Sequence, residues 1–189
     1  LKLFYQAGVR VITLTWNHAN ALGDGAEEPL NGGLTPFGRE VVEWMQQNGM
    51  IVDISHAGEQ TFWDCLGMAK RPVIASHSNA RRIHDHPRNL RDEQLQAIAR
   101  NGGVIGINFY THFIGPPDKA DLAALIQHIE HMLDVAGENA VGLGADFDGM
   151  YSLPEPITGV ESLYVLFNAL ARMNYSNKLI EKIAGLNFF

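Results

Sequence analysis

The stretch that decides the fold is Val52–Ala80, VDISHAGEQTFWDCLGMAKRPVIASHSNA. Two short apolar runs, VDIS and PVIAS, each end in a Ser-His pair, and a segment of helical pattern lies between them. Parallel strands cannot be joined by a tight turn and need a crossover, so strand, helix, strand in this order reads as a parallel sheet covered by helices. His56 and His77 then stand at matching points, each just beyond the carboxyl end of its strand.

The same alternation continues on both sides. Short runs rich in Val, Ile or Leu occur at Val9–Thr15, Met50–Ser55, Pro72–Ser76, Gly103–Phe109 and Ala140–Asp146, which predicts five buried parallel strands. Between them, PFGREVVEWMQQNG has Pro36 near its first turn and Gly49 as a stop, EQTFWDCLGMAK follows, and RDEQLQAIARNGG carries acidic residues at its start. KADLAALIQHIEHMLDVAG is the longest helical pattern and ends at Gly137; two further helices are read in GVESLYVLFNALARMN and SNKLIEKIAG. NHANALGDGAEEPLNGGLTPFG reads as a loop, and a loop of that length in a compact domain is more often functional than idle.

The fold class is therefore α/β, as either a doubly wound open sheet or part of a (β/α)8 TIM barrel. Chemistry sits at the carboxyl ends of the strands in both. No Gly-rich phosphate loop follows the first strand, and polar groups (WNH, SH, SH, YTH and DFDG) follow all five, which favours the barrel. Five strands leave the first three of an eight-stranded barrel outside the chain, so residues 1–189 are expected to form a single domain, the C-terminal three-fifths of a barrel. The opening LKLF, without Met, and the apolar close IAGLNFF make both ends read as cut.

A net charge of −7 argues against a nucleic-acid binder, which needs a basic footprint. No apolar run reaches the length of a membrane span. Cys65 is the sole cysteine, so no internal disulfide forms, in keeping with a reducing, cytoplasmic compartment.

His56 and His77, on neighbouring strands about 5 Å apart, can converge on one metal ion, since imidazole is a usual zinc ligand. The alternative is that each merely caps its strand end, with Ser55 and Ser76 supporting the turn. Asp146 of GADFDG ends the last strand, where a carboxylate can move a proton to a leaving amine; Asp148 would orient the loop. Arg88 of HPRNLRDEQL can clamp a substrate carboxylate through two parallel hydrogen bonds, or stand as a solvated loop cation. His18 can donate to a developing oxyanion while Trp16 lines a pocket wall. His112 is expected at a surface or pocket rim, His84 and His86 as loop residues, and His128 and His131, three apart on one helix, in solvent.

With these residues in hand, the chain resembles the membrane dipeptidase (renal dipeptidase) family of zinc peptidases. The markers run in the family's order: GVRVITLTW, GLTPFG, GMIVDISHAG, PVIASHSNA, RNLRDEQL, GGVIGINFY and VGLGADFDG. The resemblance implies a (β/α)8 barrel with a two-zinc centre that hydrolyses dipeptides. By motif match, His56 and His77 would be ligands of the second zinc, Arg88 would hold the substrate's terminal carboxylate, and Asp146 would be the acid/base. The family's His-x-Asp motif and bridging Glu do not occur in the chain, and Trp16 stands where the family pattern often has His, with His18 two residues on. The chain is thus expected to be a truncated dipeptidase, inactive alone, completed by a missing N-terminal half or a second copy. Another barrel amidohydrolase acting on N-acyl amino acids, and a non-catalytic remnant, are the alternatives.

Overall fold

The computed structural model describes all residues 1–189. They divide into two compact units, Leu1–Ser76 with Arg100–Gly103, and His77–Ala99 with Val104–Phe189.

In the first unit, α1 (Lys2–Gln6) leads to β1 (Val11–Thr13), α2 (Pro36–Asn48), β2 (Ile51–Asp53) and α3 (Glu59–Met68). β1 and β2 pair in parallel, with Val11 opposite Ile51 and Thr13 opposite Asp53. Helix α2 begins where the sequence signals it: Thr35 accepts a hydrogen bond from Gly38 N–H, Pro36 occupies the first turn, and Gly49 closes the helix in left-handed backbone. Its buried residues, Gly38, Val41, Val42, Met45 and Gln46, recur at three and four and form one face. Helix α3 stops at Met68, two residues short of the expected Lys70, because the Gln46 side-chain oxygen accepts the N–H groups of Lys70 and Arg71 at 2.8 Å each.

The strand expected over Pro72–Ser76 is corrected to isolated bridge residues at Ile74 and Ala75, with Ile74 pairing in parallel with Asp53. Ile54 N–H donates to Ile74 O (2.8 Å) and Ile74 N–H to Val52 O (3.1 Å), and there the ladder ends. Three of the segment's residues offer no N–H to a ladder with β2. Pro72 has no N–H, Val73 N–H goes to the Asn101 side chain, and Ser76 N–H goes to the Asp53 carboxylate.

In the second unit, α4 (Asp92–Arg100, of which Arg100 counts with the first unit) precedes β3 (Ile105–Asn108), a one-turn α5 (Thr111–Ile114), α6 (Leu122–Ala136), β4 (Val141–Ala145), α7 (Leu163–Arg172) and α8 (Asn177–Ala184). β3 and β4 pair in parallel from Ile105–Val141 onward, and the register slips between Ile107 and Asn108 so that Asn108 faces Ala145. Asp121 caps α6 by accepting from Ala124 N–H, and Gly137 ends that helix as the sequence predicts. Its core face is Leu125, Ile129 and Met132, joined by His128, which is fully buried. The expectation that His128 lies in solvent is corrected: its ring accepts from Ala80 N–H at Nδ1 (3.1 Å), so Nε2 carries the proton and donates to Ile114 O (2.9 Å). His131 is also drawn in, half-buried and 2.7 Å from Asp92 Oδ1.

The regular structure is therefore α/β, with four short strands in two parallel pairs where the sequence predicts five. No helix is long and apolar enough to cross a membrane.

Candidate functional site

In the first unit the polar groups gather just past β1 and β2. His56 adopts left-handed backbone (φ 68°), unusual for a residue with a side chain. It is held there from several sides. His56 O accepts from Ala26 N–H (2.7 Å) and from the Thr15 hydroxyl (3.3 Å), while Gly58 N–H donates to Asp24 O (2.9 Å). Gly25 pairs with Ala57 in an antiparallel bridge, and a side chain at position 25 would collide with the backbone of Trp16 and Asn17. The long Gly- and Asn-rich loop thus binds onto the His56 turn, which is what its length is used for.

The His56 ring lies 2.6 Å, at Nδ1, from Asn17 Oδ1. An amide oxygen only accepts, so Nδ1 donates and Nε2 is the lone-pair nitrogen, the arrangement that orients a metal-binding imidazole. Beneath it Asp53, nearly fully buried, accepts four hydrogen bonds. These come from the Thr13 hydroxyl (2.6 Å), the Ser76 hydroxyl (2.6 Å), Ser55 N–H (3.0 Å) and Ser76 N–H (2.9 Å). Burial pushes its carboxyl pKa up, but the bonds from Ser76, Thr13 and Ser55 outweigh burial and hold it below the ordinary carboxylate value. Asp53 was not singled out in the sequence. Its signal was an Asp two residues before Ser55, the spacing of an Asx turn. Trp16 is exposed, its ring 6.2 Å from the His56 ring, and His18 is exposed on the loop.

In the second unit His77 is half-buried, and its carbonyl accepts from Arg88 Nη2 at 3.2 Å. Arg88 is 2% exposed, with its guanidinium over the Phe113 ring at 5.4 Å. His86 packs on the same ring (4.6 Å), accepts from Arg88 N–H and stacks with His84, so these two histidines shape the Arg88 turn. His112 is exposed and stacks on Tyr110, at the rim of a cleft with Asp118 and Glu155.

Asp146 follows β4 in left-handed backbone (φ 72°, ψ 38°), directly after Ala145 at φ 45°. Its Oδ2 accepts from Asn108 Nδ2 at 3.2 Å. Asp148 is exposed. The structure thus joins Arg88 to the His77 carbonyl and Asp146 to Asn108, and it leaves His18 outside either cluster.

No three His, Cys, Asp or Glu side chains gather into a group that would hold a metal ion. The donor chemistry of His56, with Nδ1 fixed by Asn17 and the lone pair on Nε2, fits a ligand position.

Each unit sets polar side chains just beyond a parallel strand pair, His56 in the first and Asp146 in the second, and that is the end at which α/β proteins carry their chemistry. The family follows from comparison. The model of the membrane dipeptidase family (peptidase family M19) matches residues 1–189, and the chain belongs to that family. Among curated proteins it is 40% identical over 194 residues to an uncharacterized dipeptidase of Schizosaccharomyces pombe, covering 99% of this chain and 47% of that protein. It is 37% identical over 198 residues to an uncharacterized protein in the pqqA 5' region of Klebsiella pneumoniae, covering all of this chain and 73% of that one. Among solved structures, a metallo peptidase from Rhodobacter sphaeroides, liganded with a phosphinate mimic of the dipeptide L-Ala-D-Ala, superposes with a TM-score of 0.92 at 31% identity. That match covers 99% of this chain and 56% of the other. The chain spans about half the length of the curated relatives named as dipeptidases.

Proposed function

We propose that the chain is the site-bearing part of a zinc-dependent dipeptidase that hydrolyses dipeptides to free amino acids. In this reading its two parallel strand pairs belong to a (β/α)8 barrel, with the remaining strands supplied in part by the rest of a longer polypeptide or by a second copy. His56 and His77 are zinc ligands, and two zincs occupy the complete centre. Bound zinc supplies a water of lowered pKa and polarises the scissile carbonyl. As the water oxygen bonds to the carbonyl carbon, Asp146 takes up its proton and delivers it to the departing amine nitrogen as the C–N bond breaks. His18 donates to the carbonyl oxygen. Cys65, buried with its thiol pushed up to about 12, takes no part and accords with a reducing, cytoplasmic setting.

The observation that carries the reading is Arg88. A guanidinium fixed in the interior by the His77 carbonyl and Phe113 presents the planar donor fork that a carboxylate takes in two parallel bonds. A dipeptide brings that carboxylate in its C-terminus.

The test compares dipeptides with their C-terminal amides, using zinc-loaded protein as the 189-residue chain and as the complete polypeptide. The chain alone is expected to take up zinc weakly and to hydrolyse neither. The complete enzyme should hydrolyse only the free acids, and Arg88→Ala should lower kcat/KM about 10²-fold. Loss of zinc in His56→Ala and His77→Ala reports the ligands independently of turnover. Equal hydrolysis of acid and amide, or full activity in Arg88→Ala, would overturn the assignment.

A further inference from the structure

Asn108 ends β3 and is fully buried. All four of its hydrogen-bonding groups are taken. Its backbone N–H donates to Asn79 Oδ1 and its carbonyl accepts from Asn79 Nδ2, each at 2.9 Å. The Asn79 side chain, itself fully buried, thus acts on Asn108 as a neighbouring strand would, gripping both backbone groups at once. Asn79 is in turn anchored, because its carbonyl accepts from Leu90 N–H at 2.8 Å.

The side chain of Asn108 has one possible orientation. Tyr110 N–H needs an acceptor and lies 2.7 Å from one end of the amide; the Asp146 carboxylate needs a donor and lies 3.2 Å from the other. Only Oδ1 toward Tyr110 and Nδ2 toward Asp146 satisfies both. The bulge between Ile107 and Asn108 brings this residue opposite Ala145, and Phe109 N–H donates to Ala145 O at 3.0 Å, so the strained turn is gripped on both sides of the amide. On the far side of the carboxylate, a side chain at Gly149 would collide with Asp146 Oδ1. Oδ2 is therefore pinned, and Oδ1 has room only because residue 149 is a glycine.

We propose that Asn108 is a positioning residue for the Asp146 carboxylate; this rests on the reading of Asp146 as acid/base. Its neutral amide aims the group and leaves Oδ1 to exchange the proton.

The test is an exchange of the two side chains. Urea unfolding is measured for wild type, Asn108→Asp, Asp146→Asn and the double exchange. Asn108→Asp sets two carboxylates against each other and should lower the midpoint. The double exchange restores an amide facing a carboxylate and should recover most of that loss. In the zinc-loaded complete enzyme, Asn108→Asp should lower kcat roughly 10²-fold with KM within about twofold, the cost of a misplaced group, while the stable double exchange stays inactive. Should Asn108→Asp fail to fold, Asn108→Ser keeps an acceptor near Tyr110 N–H but cannot reach Asp146, and should show the same loss in kcat. Wild-type kcat in these variants, or no recovery in the double exchange, would overturn the role of Asn108. Activity retained in Asp146→Asn would instead overturn the acid/base reading, and the stability exchange would still report whether the two side chains are coupled.

Discussion

The two units meet the same backbone problem in different ways. Each ends a parallel strand pair with a side-chain-bearing residue in left-handed conformation: His56 in the first, Ala145 and Asp146 in the second. Such residues cost of order 1–3 kcal/mol each and persist only where the surroundings over-determine them. In the first unit the strand end beside this turn is organised by a buried anion, Asp53, reached by four donors. In the second the side chains that grip the strand end are neutral: the Asn79 and Asn108 amides, with the uncharged His128 ring holding Ala80 N–H. A charged hub and a neutral one give similar geometry at neutral pH, but they answer truncation and acid differently.

The sharpest way to break the comparison is at the charged hub. Asp53→Ala leaves two N–H groups and two part-buried hydroxyls without their acceptor and should cost about 2–4 kcal/mol by urea unfolding. Asp53→Asn should cost only about 1–2 kcal/mol, because its amide oxygen can serve the N–H groups of Ser55 and Ser76 while the Thr13 and Ser76 hydroxyls rotate to accept from its NH2. Equal losses in the two variants would mean that the charge, not the bonding pattern, holds the hub.

Acid separates the units next. Burial pushes the His128 pKa from 6.5 to about 4, so the unfolded chain binds this proton more readily than the folded one. The stability this neutral ring secures is complete above 6.5 and is lost as pH falls from 6.5 toward 4, by about 3 kcal/mol in all. Asp53 has the other window. Its folded value lies below 3.8, so its contribution is complete above 3.8 and fades only as pH falls through the lower folded value. The second unit should therefore weaken first on acidification. Hydrogen exchange followed in both units between pH 7 and 4 tests this, and in His128→Gln the loss between 6.5 and 4 should vanish. A first unit that loosens earlier would reverse the comparison.

The difference between the hubs also explains what the sequence made legible. Helices were readable nearly to the residue, because Thr35, Pro36, Gly49, Asp121 and Gly137 act on backbone groups next to them in the chain. The strand over Pro72–Ser76 was not, because its donors go to Asn101 and Asp53, 28 and 23 residues away. His56, His77 and Asp146 were visible as polar residues placed at the ends of apolar runs, and Arg88 as a cation just before a helical pattern. Asp53 and Asn108 lie inside such runs and read as strand residues. His128 belongs to the apolar face by spacing alone, since it lies three after Leu125 and four before Met132.

The smallest effect concerns the helix caps, and it too divides the units. Thr35 caps α2 by accepting from Gly38 N–H at 2.9 Å, and its hydroxyl also donates to Ala21 O at 2.7 Å, tying the helix to the loop that grips His56. Ser176 caps α8 through a longer bond, 3.2 Å from Leu179 N–H, at an exposed position. Thr35→Ala removes a cap and a loop anchor together and should cost about 1.5–2 kcal/mol; Ser176→Ala removes a cap alone and should cost about 0.5–1 kcal/mol. Urea midpoints at constant m measure both. The loop anchor adds a second signature, because only Thr35→Ala should speed hydrogen exchange at Ala26, whose N–H is bonded to His56 O. Unchanged exchange there would mean that the loop is held by its contacts with the His56 turn alone, with the α2 cap serving nothing beyond its own helix.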